Sequence, residues 1–103
     1  MKSTSLLEYL DEYLDVGTFP DYAAAHNGLQ VEGPSEVQRI AVAVDASEAV
    51  IQGAVAAGAD LLIVHHGIFW DGQTRVFGPR FRKLRGLIEG KVALYSAHLP
   101  LDA

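Results

Sequence analysis

Two uninterrupted apolar segments constrain the fold of this chain more than any other feature of its sequence. Residues 40–44 (Ile-Ala-Val-Ala-Val) and 61–64 (Leu-Leu-Ile-Val) contain no polar side chain, and short runs of this kind are typical of strands that are buried on both faces. The sixteen residues between the two runs are enough for a helix that connects parallel strands. We therefore predict a β-α-β unit with two parallel strands.

The connecting segment carries signals for both ends of a helix. Asp45 and Ser47 are candidate N-caps, and Glu48 stands three residues after Asp45, as in a capping box. We therefore interpret Asp45 as a helix cap rather than as a ligand. Gly58 follows the last apolar residues and is expected to end the helix at the C′ position.

The rest of the chain extends this alternation of strands and helices. The further predicted elements are an amphipathic helix over 5–14, a loop over 17–27, an extended segment over 28–31, a loop over 67–79, a helix over about 80–89 closed by Gly90, and a strand over 92–95. This order predicts an α/β layered fold with a mostly parallel sheet, flanking helices and β-α-β units. Since no repeat or linker interrupts the chain, residues 1–103 are expected to form a single α/β domain.

The composition excludes several classes of protein. The chain has no cysteine, which rules out a disulfide framework and zinc sites that use cysteine. No apolar stretch reaches the roughly 18 residues that a membrane helix needs, and residues 1–10 do not resemble a secretory signal. We therefore expect a cytoplasmic protein without a membrane partner. The net charge of −5 argues against general binding of nucleic acid.

The charge is distributed unevenly along the chain. Residues 1–60 hold ten acidic residues against Lys2 and Arg39, a net charge of −8, and residues 61–103 hold three acidic against six basic residues, a net charge of +3. The six closely spaced bases are Arg75, Arg80, Arg82, Lys83, Arg85 and Lys91. Such a series is typical of a solvated helix face. The alternative is a positive rim that attracts a nucleotide or another anionic small molecule, such as a phosphate ester.

Histidines and carboxylates cluster after the predicted strands. Asp45 follows the first buried strand, His65 and His66 follow the next, and His98 and Asp102 follow the third. The carboxyl ends of parallel strands meet at one edge of a sheet, where ligands collect. With no cysteine available, histidine and aspartate at this edge indicate a site for divalent Zn, Mn or Fe ions.

The adjacency of His65 and His66 predicts how they would bind. Successive side chains of an extended strand point to opposite sides, so the two histidines are better placed to bind two different ions than to chelate one. A carboxylate such as Asp102 could bridge those ions. Two metals about 3.5–4 Å apart would position and deprotonate a water for hydrolytic attack.

Other interpretations of these residues stay open. A histidine at a strand end is often a hydrogen-bonded structural residue, and His98 could be a ligand, a residue behind the ligands or a proton shuttle. Ser96 is a weak candidate for a nucleophile, since no oxyanion-hole motif accompanies it. We interpret His26 as a turn residue, and Phe69 and Trp70 as core or interface aromatics rather than as a base-stacking platform.

Three segments carry a resemblance to a known family. They are Asn-Gly-Leu-Gln-Val-Glu-Gly (27–33), Asp-Leu-Leu-Ile-Val-His-His-Gly-Ile-Phe-Trp (60–70) and Leu-Tyr-Ser-Ala-His-Leu-Pro-Leu-Asp-Ala (94–103). Together, and in this order, they resemble the dinuclear-metal-centre family of NGG-interacting-factor-three-like proteins, also called GTP cyclohydrolase 1 type 2 homologues. The resemblance is closest to the short bacterial members.

The resemblance implies α/β subdomains that assemble as a ring-shaped homohexamer, with a two-metal site facing an internal cavity. The family's metal-binding histidine pair matches His65 and His66, its bridging aspartate matches Asp102, and a histidine four residues earlier matches His98. Members are longer, and their second half contributes a later His and Glu to the site. The resemblance therefore implies that this chain is the N-terminal portion of a longer two-part protein.

The function that the resemblance implies is metal-dependent hydrolysis of the purine ring of GTP. In that hypothesis His65, His66 and Asp102 bind two divalent ions, and an activated water is the nucleophile. The alternative is a non-catalytic dinuclear-metal-binding ring protein that acts as a scaffold or adaptor, because the same ligands serve both functions. A third hypothesis is a structural α/β domain whose metal site is incomplete.

Overall fold

The computed structural model describes residues 1–14, 27–68 and 76–97. Its elements are, in chain order, α1 (Ser3–Tyr13), β1 (Gly28–Val31), β2 (Ile40–Asp45), α2 (Glu48–Ala56), β3 (Leu61–His66), α3 (Gly78–Glu89) and β4 (Ala93–Ser96). The predicted helices and strands are confirmed, with ends that shift by one or two residues. The predicted loop over 17–27, apart from Asn27, lies outside the described residues, as do residues 69–75 of the second loop.

A four-stranded sheet in the order β1-β4-β3-β2 organises the molecule. β3 pairs in parallel with β2 on one side and with β4 on the other, while β1 pairs antiparallel with β4. The predicted α/β fold with a mostly parallel sheet is thereby confirmed. Within the described ranges, no helix has the length and apolar character needed to cross a membrane.

The two central strands, β3 and β4, are buried on both faces. Leu62 and Leu94 pack on the side of α2 and α3, and Leu61 and Tyr95 pack on the side of α1. Each of these four side chains is at most 1% exposed. Burying a side chain of this size contributes about 1.5–3 kcal/mol to the free energy of unfolding. Both strands are therefore held firmly up to the residues at their carboxyl ends.

The prediction that the strand over 40–44 is buried on both faces is wrong. Within the described ranges, β2 lies at the edge of the sheet and pairs only with β3. Ile40, Val42 and Val44 are 47%, 74% and 64% exposed, whereas Ala41 and Ala43 pack toward the cluster of α2 and α3. The described elements on the α1 side therefore cover the central strands of the sheet but not β2. An apolar run in the sequence does not reveal which face has a covering element.

The start of α2 differs from the predicted capping box. Ser47 is the N-cap, and its Oγ accepts a hydrogen bond from the backbone N–H of Val50 at 3.1 Å. Asp45 is still part of β2 and pairs with His66 of β3. The interpretation of Asp45 as the cap is wrong because the chain remains extended through this residue, and the helix begins three residues later.

The two helices of this side end in different ways. Gly58 follows α2 with φ of +73°, which confirms the predicted C′ glycine, since an L side chain is disfavoured there. Gly90, by contrast, is the C-cap of α3 with φ of −79°, and Lys91 takes the left-handed position with φ of +56°. Gly90 is needed for close packing, because a Cβ atom there would lie 2.5 Å from Cγ2 of Val55.

A buried tyrosine connects the sheet to α1. The Tyr95 hydroxyl on β4 donates a hydrogen bond to Oδ1 of Asp11 at 2.8 Å. Burial raises the pKa of Tyr95 far above its usual value of about 10, and the hydrogen bond and negative charge of Asp11 raise it further. The phenol therefore keeps its proton in the folded protein at pH values at which a tyrosine of the unfolded chain loses it.

This contact predicts a specific loss of stability at high pH. Because the folded state keeps the Tyr95 proton and the unfolded chain releases it above about pH 10, the free energy of unfolding should fall as pH rises. The fall should approach about 1.4 kcal/mol per pH unit above that value. Tyr95→Phe should cost about 1 kcal/mol at neutral pH and should show a shallower fall. Urea denaturation at several pH values measures both, and equal pH slopes for the two proteins would contradict the assignment.

Candidate functional site

Strand direction brings Asp45, His65 and His66 to one edge of the sheet. β2 and β3 run parallel, and their register pairs Asp45, the last residue of β2, with His66, the last residue of β3. The backbone N–H of Ala46 donates to the carbonyl of His66 at 3.2 Å. The predicted convergence of these three residues at the carboxyl edge is confirmed.

Asp45 is the hydrogen-bond partner of His66. Oδ1 of Asp45 lies 2.7 Å from Nδ1 of His66, and an ionised carboxylate only accepts hydrogen bonds. Nδ1 of His66 therefore carries a hydrogen, and in the neutral ring Nε2 presents a lone pair. The His66 and Asp45 side chains are 44% and 66% exposed, so the pair contributes little to stability. Its effect is to orient the imidazole ring.

His65 and His66 lie side by side rather than diverging as the sequence predicted. Nδ1 of His65 is 3.2 Å from Nε2 of His66, and the ring centroids are 4.4 Å apart in an edge-to-face arrangement. Alternation governs the direction of the Cα–Cβ bonds, but an imidazole at a strand end can lean along the strand and past the edge of the sheet. The last two side chains of β3 therefore approach each other.

The two facing nitrogens are hydrogen-bonded to each other. Because the Nδ1 hydrogen of His66 is engaged by Asp45, Nδ1–H of His65 donates to Nε2 of His66. Zinc binds histidine nitrogen at about 2.0–2.1 Å, so one divalent cation could bind both nitrogens, 3.2 Å apart, only in place of that hydrogen. Among residues 1–14, 27–68 and 76–97, no group of three or more His, Asp and Glu residues is arranged to hold a metal. Further ligands would have to come from outside these ranges.

A glutamine from β1 fixes the turn that follows the histidines. Oε1 of Gln30 accepts a hydrogen bond from the backbone N–H of Ile68 at 2.8 Å. Sequence reasoning missed this residue. The only available signal was its place within the 27–33 segment that carries the family resemblance.

The remaining predicted site residues are divided between described and undescribed parts of the chain. His98 and Asp102 lie outside the described residues, as do His26, Phe69 and Trp70. Their predicted roles stay predictions. Ser96 is fully buried at the end of β4, and its hydroxyl has no hydrogen-bond partner within the described ranges. An inaccessible hydroxyl does not support a nucleophilic role.

Two basic residues of α3 form ion pairs on the surface. Nε of Arg82 lies 2.8 Å from Oε1 of Glu48 on α2, and Nε of Arg85 lies 3.0 Å from Oε1 of Glu89 one turn later. Arg82 and Arg85 are more than half exposed. This arrangement favours the solvated helix face. The positive rim that would attract an anionic ligand stays a prediction.

Comparison with known proteins identifies the family. The family model of Duf34/NIF3 (NGG1p interacting factor 3) matches residues 1–103. The chain belongs to the Duf34/NIF3 family. A relative in Escherichia coli K12, named GTP cyclohydrolase 1 type 2 homolog, is 46% identical over all of this chain. A relative of the same name in Deinococcus radiodurans is 45% identical over 95% of the chain.

A solved structure in this family superposes closely. The crystal structure of a Thermus thermophilus protein matches all of this chain with a TM-score of 0.94 and 46% identity. This chain spans 42% of the Thermus protein and 41% and 36% of the Escherichia and Deinococcus relatives. It therefore corresponds to less than half the length of each of these Duf34/NIF3 proteins.

The hydrogen bond between Asp45 and His66 predicts a tautomer. In the parent protein, long-range ¹⁵N–¹H correlation spectra should show the His66 hydrogen on Nδ1. In Asp45→Ala the population should shift toward Nε2–H, the form that predominates in free imidazole side chains. Glu32→Ala removes an exposed carboxylate from the chain and should leave the His66 signals unchanged. An unaltered His66 tautomer in Asp45→Ala would contradict the orienting role of Asp45.

Proposed function

We propose that this protein is a metal-dependent hydrolase of the cyclohydrolase type, in which His65 and His66 bind divalent Zn, Mn or Fe. The observation that supports this most is the approach of Nδ1 of His65 to Nε2 of His66 at 3.2 Å, at the carboxyl end of a buried parallel strand. The relatives are named GTP cyclohydrolase 1 type 2 homolog. That name supports a purine nucleotide as the substrate class.

Each histidine has a defined part in the proposed site. His66 is held by Asp45 with its Nδ1 hydrogen engaged, so that Nε2 is the nitrogen offered to an ion. Nδ1 of His65 donates a hydrogen bond to that nitrogen in the structure, so it would bind an ion in the other tautomer of His65, with the hydrogen on Nε2. Backing a metal-ligating histidine with a carboxylate fixes its ring and raises its basicity as a ligand. When bound, a divalent cation lowers the pKa of water and so supplies a nucleophile near neutral pH.

The proposal extends to residues that the structure does not describe. Asp102 is the bridging ligand for a second ion, and His98 is a ligand or a proton shuttle, as the resemblance implies. The ring-shaped homohexamer is part of the same proposal. The proposal also includes the N-terminal position of this chain in a longer two-part protein, which is called the full-length protein below.

Metal content tests the histidine pair. Since two nitrogen ligands disappear, the double variant His65→Ala/His66→Ala should lose most of its bound metal, measured by inductively coupled plasma mass spectrometry after dialysis against Zn²⁺ or Mn²⁺. His26→Ala, which removes a histidine that the sequence predicts to be a turn residue, is the control and should keep its metal. Circular dichroism should show the same fold in all three proteins. A folded double variant with unchanged metal content would overturn the proposed site.

Turnover separates the hydrolase from the scaffold. Opening and hydrolysis of the purine ring of GTP releases formate, so the metal-loaded full-length protein should release formate from GTP, and the double variant should not. Retention of metal without release of formate would favour the non-catalytic scaffold or adaptor.

A further inference from the structure

The segment 27–33 carries the family resemblance, yet the proposed site assigns it no part. It forms β1, the antiparallel edge strand, which is separated from β3 by β4. One of its side chains reaches past β4 to the chain that leaves β3. That contact gives the segment a role.

Gln30 occupies an irregularity in the pairing of β1 with β4. Leu29 pairs with Tyr95 and Val31 pairs with Leu94, so that Gln30 is an extra residue between two successive pairs. An inserted residue of this kind is a β-bulge, which bends the strand and can aim a side chain where regular alternation would not. Bulges occur preferentially at sheet edges and beside functional sites.

The Gln30 side chain meets the backbone directly after the histidine pair. Its Oε1 accepts the N–H of Ile68 at 2.8 Å, and Ile68 is only two residues from His66. The Ile68 side chain is 6% exposed and belongs to the same core cluster as Val64. The turn is therefore held both by its buried side chain and by Gln30.

Gly67 leaves room for this contact. A Cβ atom at Gly67 would lie 2.6 Å from both Cδ and Nε2 of Gln30, which is closer than real Cβ contacts. Any other residue at this position would push the carboxamide away from Ile68. Gly67 and Gln30 are therefore matched in shape, and we call these two residues the fitted pair.

The backbone that follows the Cα atom of His66 is consequently held from two directions. Its carbonyl accepts the N–H of Ala46 from the β2 side at 3.2 Å, and the turn beyond it is tied to β1 through Gln30. Ligands that are held in place before an ion binds lose less conformational freedom on binding. Removal of a group that hydrogen-bonds directly to a ligand typically lowers metal affinity about 10–100-fold, and a group that acts through the backbone should have an effect near the lower end of this range.

We infer that Gln30 is a positioning residue for the His65–His66 pair, acting through its hydrogen bond to Ile68 and its fit against Gly67. The inference rests on the proposed metal-binding function. It assigns to the 27–33 segment the task of holding the turn that ends β3. Gln30 itself need not touch the ion.

The affinity for Co²⁺ or Zn²⁺, measured in the full chain by competition with a chelator, tests this role. Gln30→Met keeps the length of the side chain but removes the acceptor, and it should weaken binding about 10-fold, the lower end of the range for groups bonded directly to a ligand. It should also change the visible absorption spectrum of the Co²⁺ form. Gln30→Glu keeps an oxygen acceptor for Ile68 and should restore most of the affinity. Gln52→Met, on the exposed face of α2, is the matched control and should bind as the parent does.

The variant Gly67→Ala provides an independent test of the same contact. It should weaken binding to a similar degree, and combination with Gln30→Met should add little, because both changes remove the same contact. Additive losses in the double variant would contradict the fitted pair. If Gln30→Met lowers the free energy of unfolding but binds the ion within about twofold of the parent, Gln30 is only structural and the inference is overturned.

The outcomes separate this inference from the proposed function. Loss of metal in His65→Ala/His66→Ala with parental affinity in Gln30→Met would overturn the role of Gln30 alone. Metal binding that survives the double histidine change would overturn the proposed site, and the role of Gln30 with it.

Discussion

The parallel pairing of β3 with both of its neighbours is the interaction on which the rest of this structure depends. β3 is hydrogen-bonded to β2 and β4, and its apolar residues serve the clusters on both faces of the sheet. A strand placed in this way cannot slip by one residue without turning its side chains to the wrong faces. The register therefore fixes where β3 ends, and His65 and His66 stand at that end.

The candidate site depends on orientation more than on stability. The contacts of His65, His66 and Asp45 are partly exposed to solvent and would contribute little to the free energy of folding. The buried parts of the sheet supply the stability, and the polar contacts aim the imidazole rings. Gln30 connects the polar contacts to the sheet, because its hydrogen bond to Ile68 links the turn after the histidines to the edge strand β1. A site of this kind can be altered without unfolding the protein, which makes its parts open to separate measurement.

The sequence predicted those features that depend on local pattern. The apolar run before His65, the length of the crossover and Gly58 were enough to place β3, α2 and the parallel pairing. The site edge followed, because strand direction alone brings Asp45 and His66 to the same end. These inferences succeeded since each depends on local sequence pattern and on the direction of neighbouring strands.

Features that depend on distant parts of the chain were missed. The apolar strand β2 has the same sequence pattern as β3, yet Val42 is 74% exposed, because none of the described elements covers that face at the sheet edge. The sequence predicts that Asp45 is a helix cap, and only its pairing with β3 shows that it is the hydrogen-bond partner of His66. The contact of Gln30 with Ile68 spans 38 residues and arises from a bulge that has no clear sequence signal. His98 and Asp102 lie outside the described residues, and their roles in the site stay predictions.

The central claim is that the carboxyl end of β3 binds a divalent cation through both histidines. Anomalous diffraction from crystals of the full-length protein grown with Zn²⁺ tests it most directly, because it locates the ion without reference to activity. The account predicts a peak of anomalous density within about 2.1 Å of a ring nitrogen of His65 and of His66, from one ion or from two neighbouring ions. Zinc bound elsewhere in the protein, with these two side chains uncoordinated, would contradict it.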